Sequence, residues 1–296
     1  MIATMRRVLC GITLVALGAW AGQIEAQAAP ARGGSLDSLR ARWRVQLPPG
    51  YLDVQVQPRA FPSMNASSPS AYSPEWGDAY VGFGYQQRTR PEPFQSDLGN
   101  NDGVAVVGFG LGLVRRVALE VEYASFSTFR SGFFNVGAMS FKLSHLFGNG
   151  WAVAAGAERV VTVGSEGDGG KAYFGAASKV FVRGDGTGPL SALGITVGAG
   201  NGRFRPVEDV WLNRQSVNAF GAVGLKVLDP LGLVADWNGQ DLTLAASVVP
   251  FRCIGLTISP AITDVTGNAQ SPRRYVIGVG IGGAVSRRGL RPRGCS

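Results

Sequence analysis

The chain has 296 residues and a net charge of +8 at pH 7, yet only 16% of its residues are charged and 43 are glycine. Four arginines lie in the C-terminal stretch "SRRGLRPRG", which leaves little excess charge on the rest of the chain. A groove for nucleic acid needs basic residues clustered along one face, so this composition argues against a nucleic-acid partner.

Residues 1–28 are predicted to form a secretory signal peptide. Arg6 and Arg7 precede an apolar run over 8–22, and Ala26 and Ala28 match the small-residue rule at a cleavage site. The alternative is a membrane anchor, but the run is shorter than the roughly 20 residues of a membrane-spanning helix. We therefore expect a mature chain that begins near residue 29, outside the cytoplasm.

Residues 29–77 form a separate segment with seven prolines. Its length and composition do not suit a folded domain. Two alternatives stay open for it: a periplasmic lead to the next domain, or a plug that enters the lumen of that domain.

From residue 78 onward, apolar and polar residues alternate with period two, which is typical of strands. In 117–124, Val117, Leu119 and Val121 would face one side, and Glu120 and Glu122 the other. Twelve runs of this kind are predicted, at 78–87, 102–113, 117–128, 132–147, 151–163, 171–182, 190–202, 216–228, 231–239, 241–251, 253–265 and 273–285.

The spacing of these runs favours a membrane barrel over a sandwich. They have about the length that crosses a bilayer as a tilted strand, and aromatic residues lie near their ends. Most connections after odd-numbered runs are long, whereas most connections after even-numbered runs are short, as in bacterial barrels. We predict an all-β fold, a closed antiparallel up-and-down transmembrane β-barrel of about 12 strands over 78–285. An Arg-rich periplasmic tail over 286–296 would follow it.

The stretch "RRYVIGVGIGGAV" at 273–285 has the spacing G-x-G-x-x-G at Gly278, Gly280 and Gly283. A dinucleotide site needs these glycines between a strand and a helix. Here they fall inside a predicted strand and no helical pattern follows, so no cofactor is expected.

On these features, residues 78–285 resemble Gram-negative-type outer-membrane β-barrel proteins. The stretch 231–263, "LGLVADWNGQDLTLAASVVPF" followed by "LTISPAIT", is also similar to hairpins of barrels associated with exopolysaccharide secretion. The resemblance implies an outer-membrane location, with outer-membrane lipid and the barrel assembly machinery as partners. Members of that class typically end in an aromatic residue on the last strand, whereas here the last predicted strand ends near Val285 and eleven residues follow it.

Strand parity gives the candidate pore-lining residues, which are Glu120, Glu122, Lys142, Lys226, Asp236 and Arg274. Catalytic and metal sites are not expected. The single histidine, His145, is predicted on the lipid-facing side, and the adjacent Ser144 would face the opposite side. Glu166 and Asp168 offer calcium ligands, but too few for a known loop.

The mature chain retains two cysteines, Cys253 and Cys295. Both are predicted at the periplasmic end, in an oxidising compartment, and about ten tail residues give Cys295 ample reach. We therefore predict a disulfide between them.

The sequence predicts a passive channel or an envelope component with a structural or export role, passing small solutes or polysaccharide if it conducts. A secreted soluble β-sandwich that binds glycans and a barrel acyl hydrolase remain as alternatives. We do not expect an enzyme.

Overall fold

A computed structural model describes residues 60–88, 101–126, 128, 135–164, 170–269, 271–286 and 289–291. All of them belong to one compact unit, 46–296. The predicted signal peptide over 1–28 and residues 29–59 of the proline-rich segment lie outside the described residues. So do Glu166, Asp168 and Cys295.

The described chain forms thirteen strands, twelve from the alternating runs and one from the tail. They are β1 (Asp78–Gln86), β2 (Asp102–Leu113), β3 (Val117–Ser125), β4 (Gly137–Leu146), β5 (Trp151–Val163), β6 (Ala172–Val182), β7 (Ala192–Gly200), β8 (Asn218–Leu228), β9 (Leu231–Trp237), β10 (Leu242–Val248), β11 (Leu256–Thr263), β12 (Arg274–Ser286) and β13 (Gly289–Arg291). Between β7 and β8 lie a 3-10 turn, Gly202–Phe204, and a short helix, α1 (Val207–Trp211).

Each strand pairs antiparallel with the next, and β1 also pairs with β12, from Asp78 opposite Ala284 to Gln86 opposite Val276. This pairing closes twelve strands into an up-and-down barrel, as the sequence predicts. One closed sheet replaces the two stacked sheets of the sandwich alternative. Closure leaves no unpaired edge along β1 or β12, which is how a barrel satisfies its backbone.

Two details differ from the prediction. Strand β4 begins at Gly137, later than expected, because its pairing with β3 ends where Gly137 lies opposite Ser125. Residues 132–134, where the predicted strand begins, lie outside the described residues. The predicted tail also contributes the short strand β13, which pairs with the end of β12.

Strand β5 contains a bulge that explains why its alternation looks imperfect in sequence. Met139 of β4 lies opposite Val161, but Phe141 lies opposite Ala157, so β5 has extra residues between these pairs. Arg159 sits in that gap with a φ of 56° and places its guanidinium over the Phe126 ring. The two extra residues interrupt the pairing and the alternation locally, and because their number is even, β5 keeps the same faces on both sides of the bulge.

The two ends of the barrel differ. We call one the short-turn end, because it carries the connections 114–116, 147–150, 183–191, 229–230 and 249–255. We call the other the long-loop end, because it carries 87–101, 126–136, 164–171, 201–217, 238–241 and 264–273. The one short connection there is 238–241, between β9 and β10. β1 begins and β12 ends at the short-turn end.

The alternation along the strands separates an apolar outer face from an inner face of small and polar residues. Tyr275, Ile277 and Val279 are exposed on the outside of β12, and Gly278 and Gly280 face inward between them. The G-x-G-x-x-G spacing thus lies within a paired strand, as predicted. Among the described residues, no helix has the length and hydropathy needed to span a membrane.

Candidate functional site: the occupied lumen

The barrel interior contains part of the proline-rich segment. Residues 60–76, which we call the inserted segment, begin at the short-turn end, where Ala60 N donates to Arg252 O. The segment runs into the lumen and returns to the same end, where Trp76 N donates to Gly112 O. It therefore forms a loop that enters and leaves the barrel on one side.

The deepest part of the inserted segment is held by one carboxylate. Asp236 of β9 is fully buried and accepts hydrogen bonds from the backbone N–H groups of Ala66, Ser67 and Ser68 at 2.8 to 3.1 Å. The hydroxyls of Ser67 and Ser68 donate to it as well, at 2.9 and 2.5 Å. Hydrogen bonds to a charged acceptor are stronger than neutral ones, so Asp236 is the main polar attachment of the loop tip.

Glycines on the inner wall make room for the segment. A Cβ atom added at Gly194 would lie 2.7 Å from Met64 Cβ, and one added at Gly224 would lie 2.6 Å from Met64 Cα. On β2, a Cβ at Gly110 would lie 2.4 Å from the backbone of Pro74. Any side chain at these positions would push the segment off the wall, so the small residues of β2, β7 and β8 fit this occupant.

The returning half of the segment contacts β4 and β6. Ala71, which is fully buried, donates its N–H to Ser178 Oγ at 2.9 Å. The Tyr72 hydroxyl donates to Gly150 O and accepts from Val180 N. The backbone carbonyl of Tyr72 accepts from Lys142 Nζ. Burial raises the pKa of Tyr72 to about 12, although the bond from Val180 N opposes the shift. Tyr72 therefore stays a neutral donor at physiological pH.

The connection between β7 and β8 also enters the barrel, from the long-loop end. Phe204 is fully buried and stacks on Phe220 with ring centroids 4.5 Å apart, and both contact Phe174 edge-on. Beside it, Arg203 binds Glu158 through both carboxylate oxygens, at 2.5 and 2.9 Å. These contacts fill the interior between β5 and β8 above the inserted segment.

Arg203 joins this connection to the inserted segment, because its Nη1 donates to Ser67 O at 3.2 Å. Burial opposes the charge of Arg203, but the paired Glu158 carboxylate outweighs it and raises the pKa of the guanidinium.

All six predicted inward-facing residues point into the barrel, at four separate places. Glu120, Glu122 and Lys142 lie together on β3 and β4, and Lys142 Nζ is 2.7 Å from Glu120 Oε2. Asp236 lies alone against the inserted segment. Lys226 and Arg274 lie at opposite ends of the lumen. Whether any of them lines a conducting pore stays a prediction.

Lys226 and Arg274, at the two ends of the lumen, each form a local ion pair. Lys226 lies 3.0 Å from Asp229 in the adjacent turn at the short-turn end. The hydrogen bond from Lys226, with one from Gly188 N, lowers the pKa of Asp229. At the long-loop end, Arg274 donates to Asp264 at 2.6 Å and to Gln86 at 2.8 Å.

Two cavities whose walls are formed by described residues lie beside the inserted segment. We call the first the polar chamber: it measures about 240 Å³ and lies between residues 65–69 and the wall formed by β3, β4 and β5. Glu120, Glu122, Lys142, Glu158 and Arg203 all border it. The second cavity, of about 380 Å³, lies along the seam of β1 and β12, beside Phe61, Gly82, Thr257 and Gly280.

Tyr80 of β1 contacts the two glutamates of β3 that border the polar chamber, and it was not predicted as a site residue. Its hydroxyl lies 2.7 Å from Glu120 Oε1 and 2.6 Å from Glu122 Oε2. A Cβ at Gly108 would lie 2.3 Å from the Tyr80 ring, so this glycine allows the ring to lie flat along β2. Strand parity indicates that Tyr80 faces inward, but the sequence holds no sign of its partners on β3.

His145 and Ser144 face opposite sides of β4, as predicted. His145 Nδ1 lies 2.6 Å from Arg116 O at the short-turn end, and its ring packs edge-on against Phe147. Ser144 is buried on the inner face. No group of three or more His, Cys, Asp or Glu side chains among the described residues is arranged to hold a metal ion.

A second buried carboxylate, Asp241, organises the long-loop end. Its Oδ1 accepts hydrogen bonds from Leu242 N and from both N and Oγ1 of Thr266. Its Oδ2 accepts one from Ala269 N, and all four distances lie between 2.7 and 2.9 Å. Burial alone would raise its pKa, but the bonds from Thr266, Ala269 and Leu242 lower it overall. Asp241 thus fixes the connection between β11 and β12, not the inserted segment.

Asp241→Asn should lower the midpoint temperature of unfolding at neutral pH, because an amide presents a donor where a carboxylate accepts. A group whose pKa is lower when folded stabilises the fold above its unfolded pKa of about 3.9. That stability disappears as the pH falls through the lowered value. We therefore expect the difference between the two proteins to shrink as the pH falls below about 4, measured by thermal unfolding from pH 2 to 7. Parallel curves would contradict this role for Asp241.

Cys253, in the turn before β11, is disulfide-bonded. Its pairing with Cys295 stays a prediction, since Cys295 lies outside the described residues. Acid-quenched, denatured protein should not react with a maleimide before reduction and should gain two labels after it. Cys295→Ser should leave one cysteine that reacts without reduction. If that variant stays unlabelled, Cys253 has another partner.

Searches against known protein families and curated proteins gave no match for this chain. The functional argument therefore rests on the barrel and its contents.

Proposed function

We propose that this protein is an outer-membrane β-barrel whose lumen is closed at rest by its own inserted segment. It would act as a gated channel or a closed envelope component, not as an open passive pore. The observation that carries the proposal is the set of bonds between Asp236 and residues 66–68, inside a closed barrel. A segment held this way occupies the path that a solute would take.

The outer face supports a membrane location. Large apolar side chains are exposed around the barrel, among them Val107 at 49%, Val197 at 58% and Tyr275 at 58%. Monomeric soluble proteins rarely expose contiguous apolar surface on this scale. Outer-membrane lipid would cover it, and the barrel assembly machinery would insert the chain.

Lys179 of β6 points to the outer face but is consistent with lipid around it. Its ammonium lies 5.6 Å from the ring centroids of both Trp151 and Phe181, and it donates to Asn149 O in the turn at the short-turn end. A lysine stem that lies along apolar surface with its charge at the membrane boundary is typical of interfacial positions. Because short turns of bacterial outer-membrane barrels lie on the periplasmic side, the short-turn end would be periplasmic.

The size of the barrel supports the closed state. Barrels of about eight strands are filled by side chains, and open aqueous channels belong mainly to those of roughly 16 or more. Here the inserted segment and the Phe204 cluster occupy much of a twelve-strand interior. Export of a polysaccharide would need that space to be free, so the export alternative requires displacement of the segment as well.

Fractionation and gel mobility test the location. We expect the mature chain in the outer-membrane fraction, extractable only with detergent, and migrating differently in gels before and after heating, because a closed barrel resists detergent until heated. Recovery in the soluble periplasmic fraction would refute the proposal.

Electrical recording tests the closed state. In planar bilayers, wild-type protein should show rare openings only. A steady open conductance would indicate a passive channel instead.

A further inference from the structure

Two separate parts of the chain meet inside the barrel. The inserted segment enters from the short-turn end, and the connection between β7 and β8, residues 201–217, enters from the long-loop end. They are joined by the bond from Arg203 Nη1 to Ser67 O, at 3.2 Å. Ser67 is also one of the residues that Asp236 binds, through its backbone N–H and its hydroxyl. The connection therefore contacts the inserted segment at the point where the wall holds it.

Arg203 is bound to the wall as well as to the segment. Its Nε and Nη2 donate to the two carboxylate oxygens of Glu158 on β5, at 2.5 and 2.9 Å. Because a guanidinium is a rigid planar fork, it can satisfy Glu158 and Ser67 O together only over a narrow range of backbone positions. A shift of residues 202–204 toward the long-loop end would therefore break the bond between Arg203 and Ser67 O.

Phe204 holds the inner part of the connection in the lumen. Its side chain is fully buried, stacks on Phe220 and contacts Phe174 edge-on. A Cβ atom added at Gly239 would lie 2.3 Å from Phe204 O, so the absence of a side chain there lets the backbone of the connection approach the wall. The guanidinium carbon of Arg203 lies 4.3 Å from the centroid of the Phe204 ring. The position of the Phe204 ring thus sets the position of Arg203.

The outer part of the same connection is exposed. It contains α1, whose first residue, Val207, is buried, and after it Leu212 and Val217, which are 54% and 71% exposed. One short stretch of chain thus joins an exposed surface at the long-loop end to the tip of the inserted segment. Movement of that surface can reach residues 66–68 through Phe204 and Arg203.

We propose that the connection between β7 and β8 controls the inserted segment from the opposite end of the barrel. In the closed state, Phe204 lies in its stack and Arg203 binds Ser67 O. In the open state, withdrawal of Phe204 removes that bond, and residues 66–68 detach more readily from Asp236. Since coupling between two sites is reciprocal, release of the segment also loosens the connection. The coupling stands on these contacts, and its effect on conductance rests on the proposed gated channel.

Hydrogen exchange of the full mature chain in detergent micelles, measured by mass spectrometry, tests the coupling without any current. The N–H groups of residues 66–68 exchange when they leave Asp236, so their rate reports release of the segment. Phe204→Ala should raise that rate about tenfold, the value expected when one hydrogen bond to a charged group is lost. Phe204→Leu, which fills part of the stack, should raise it less. Asp236→Ala should in turn raise the exchange of residues 202–205.

Arg203→Gln distinguishes this coupling from a general loosening of the barrel. It should itself raise the exchange of residues 66–68, and adding Phe204→Ala should cause no further rise, because the link is already broken. Arg274→Gln is the matched control. Arg274 also faces the lumen and pairs with a carboxylate, Asp264, but it makes no hydrogen bond to the inserted segment among the described residues. This variant should exchange at residues 66–68 like the wild type.

Heat-dependent gel mobility should first show that each variant forms the barrel, and Phe204→Leu serves if Phe204→Ala does not. The coupling is overturned if the folded Phe204 variants exchange like the wild type at residues 66–68. It is also overturned if Phe204→Ala causes the same rise with Arg203 and with Gln at that position.

Conductance separates this result from the proposed function. If Asp236→Ala conducts but the Phe204 variants exchange and conduct like the wild type, the gated channel stands and control by the connection fails. If exchange at residues 66–68 follows the Phe204 stack but no variant conducts, the coupling stands and the gated channel fails.

Discussion

Asp236→Ala should release the inserted segment and convert a closed barrel into one that conducts. The substitution removes the acceptor of three backbone N–H groups and two hydroxyls, all on residues 66–68. Each buried donor left unsatisfied costs roughly 1–3 kcal/mol. Since about 1.4 kcal/mol is a tenfold change in an equilibrium constant, we expect the open population to rise at least a hundredfold. Single-channel recording in planar bilayers measures it.

Asp241→Ala is the matched control for this experiment. Asp241 is also a fully buried carboxylate with several donors, but its partners lie in the connection between β11 and β12. Asp241→Ala should lower the stability of the barrel without opening the lumen. Equal conductance of the two variants would mean that any loss of a buried carboxylate opens the barrel, and that the segment is not the gate.

A tether separates movement of the segment from distortion of the wall. Ser63 N donates to Ser247 Oγ at 2.8 Å, so the pair Ser63→Cys and Ser247→Cys brings two thiols close together. Added to Asp236→Ala, the oxidised pair should suppress conductance and reduction should restore it. If conductance is the same with the two cysteines oxidised and reduced, current passes without movement of the residues near Ser63.

Ile258→Arg should prevent or strongly reduce barrel assembly. Ile258 faces outward on β11, opposite Val279, which is itself paired with Phe83 at the middle of β1. An arginine on the lipid face near the bilayer midplane costs roughly 2–4 kcal/mol. We expect little heat-modifiable protein in the outer-membrane fraction, quantified by gel densitometry.

The neighbouring Thr257→Arg supplies the control. Thr257 faces inward, opposite Gly280, and borders the cavity of about 380 Å³ along the seam of β1 and β12. That space gives an arginine side chain room and water, so assembly should stay close to that of the wild type. Similar losses for both variants would contradict a lipid-covered outer face and would favour a barrel in water.

The sequence by itself determined the strands and the side that each residue faces. Side chains alternate along any strand, so the pattern of Val117, Glu120, Val121 and Glu122 carries this information locally. The same local rule placed Asp236 and Lys226 inside and His145 outside. The alternation is less clean at Arg159, where a bulge that depends on pairing with β4 adds residues to β5, and at Lys179, a charged residue on the outer face of β6.

Only the tertiary structure decided what fills the barrel. The sequence left a periplasmic lead and a plug as alternatives for residues 29–77, because proline-rich composition does not specify a location. The bonds from Ser68 to Asp236 join residues 168 positions apart, and no sequence period encodes such a contact.

The same holds for the polar chamber. Glu120 and Glu122 were predicted to face inward, but their shared contact with Tyr80 depends on the curvature that brings β1 and β3 together. Which inward residues meet is set by closure of β1 on β12 and by the path of the inserted segment. Both are properties of the whole barrel, so inspection of one strand at a time cannot reveal them.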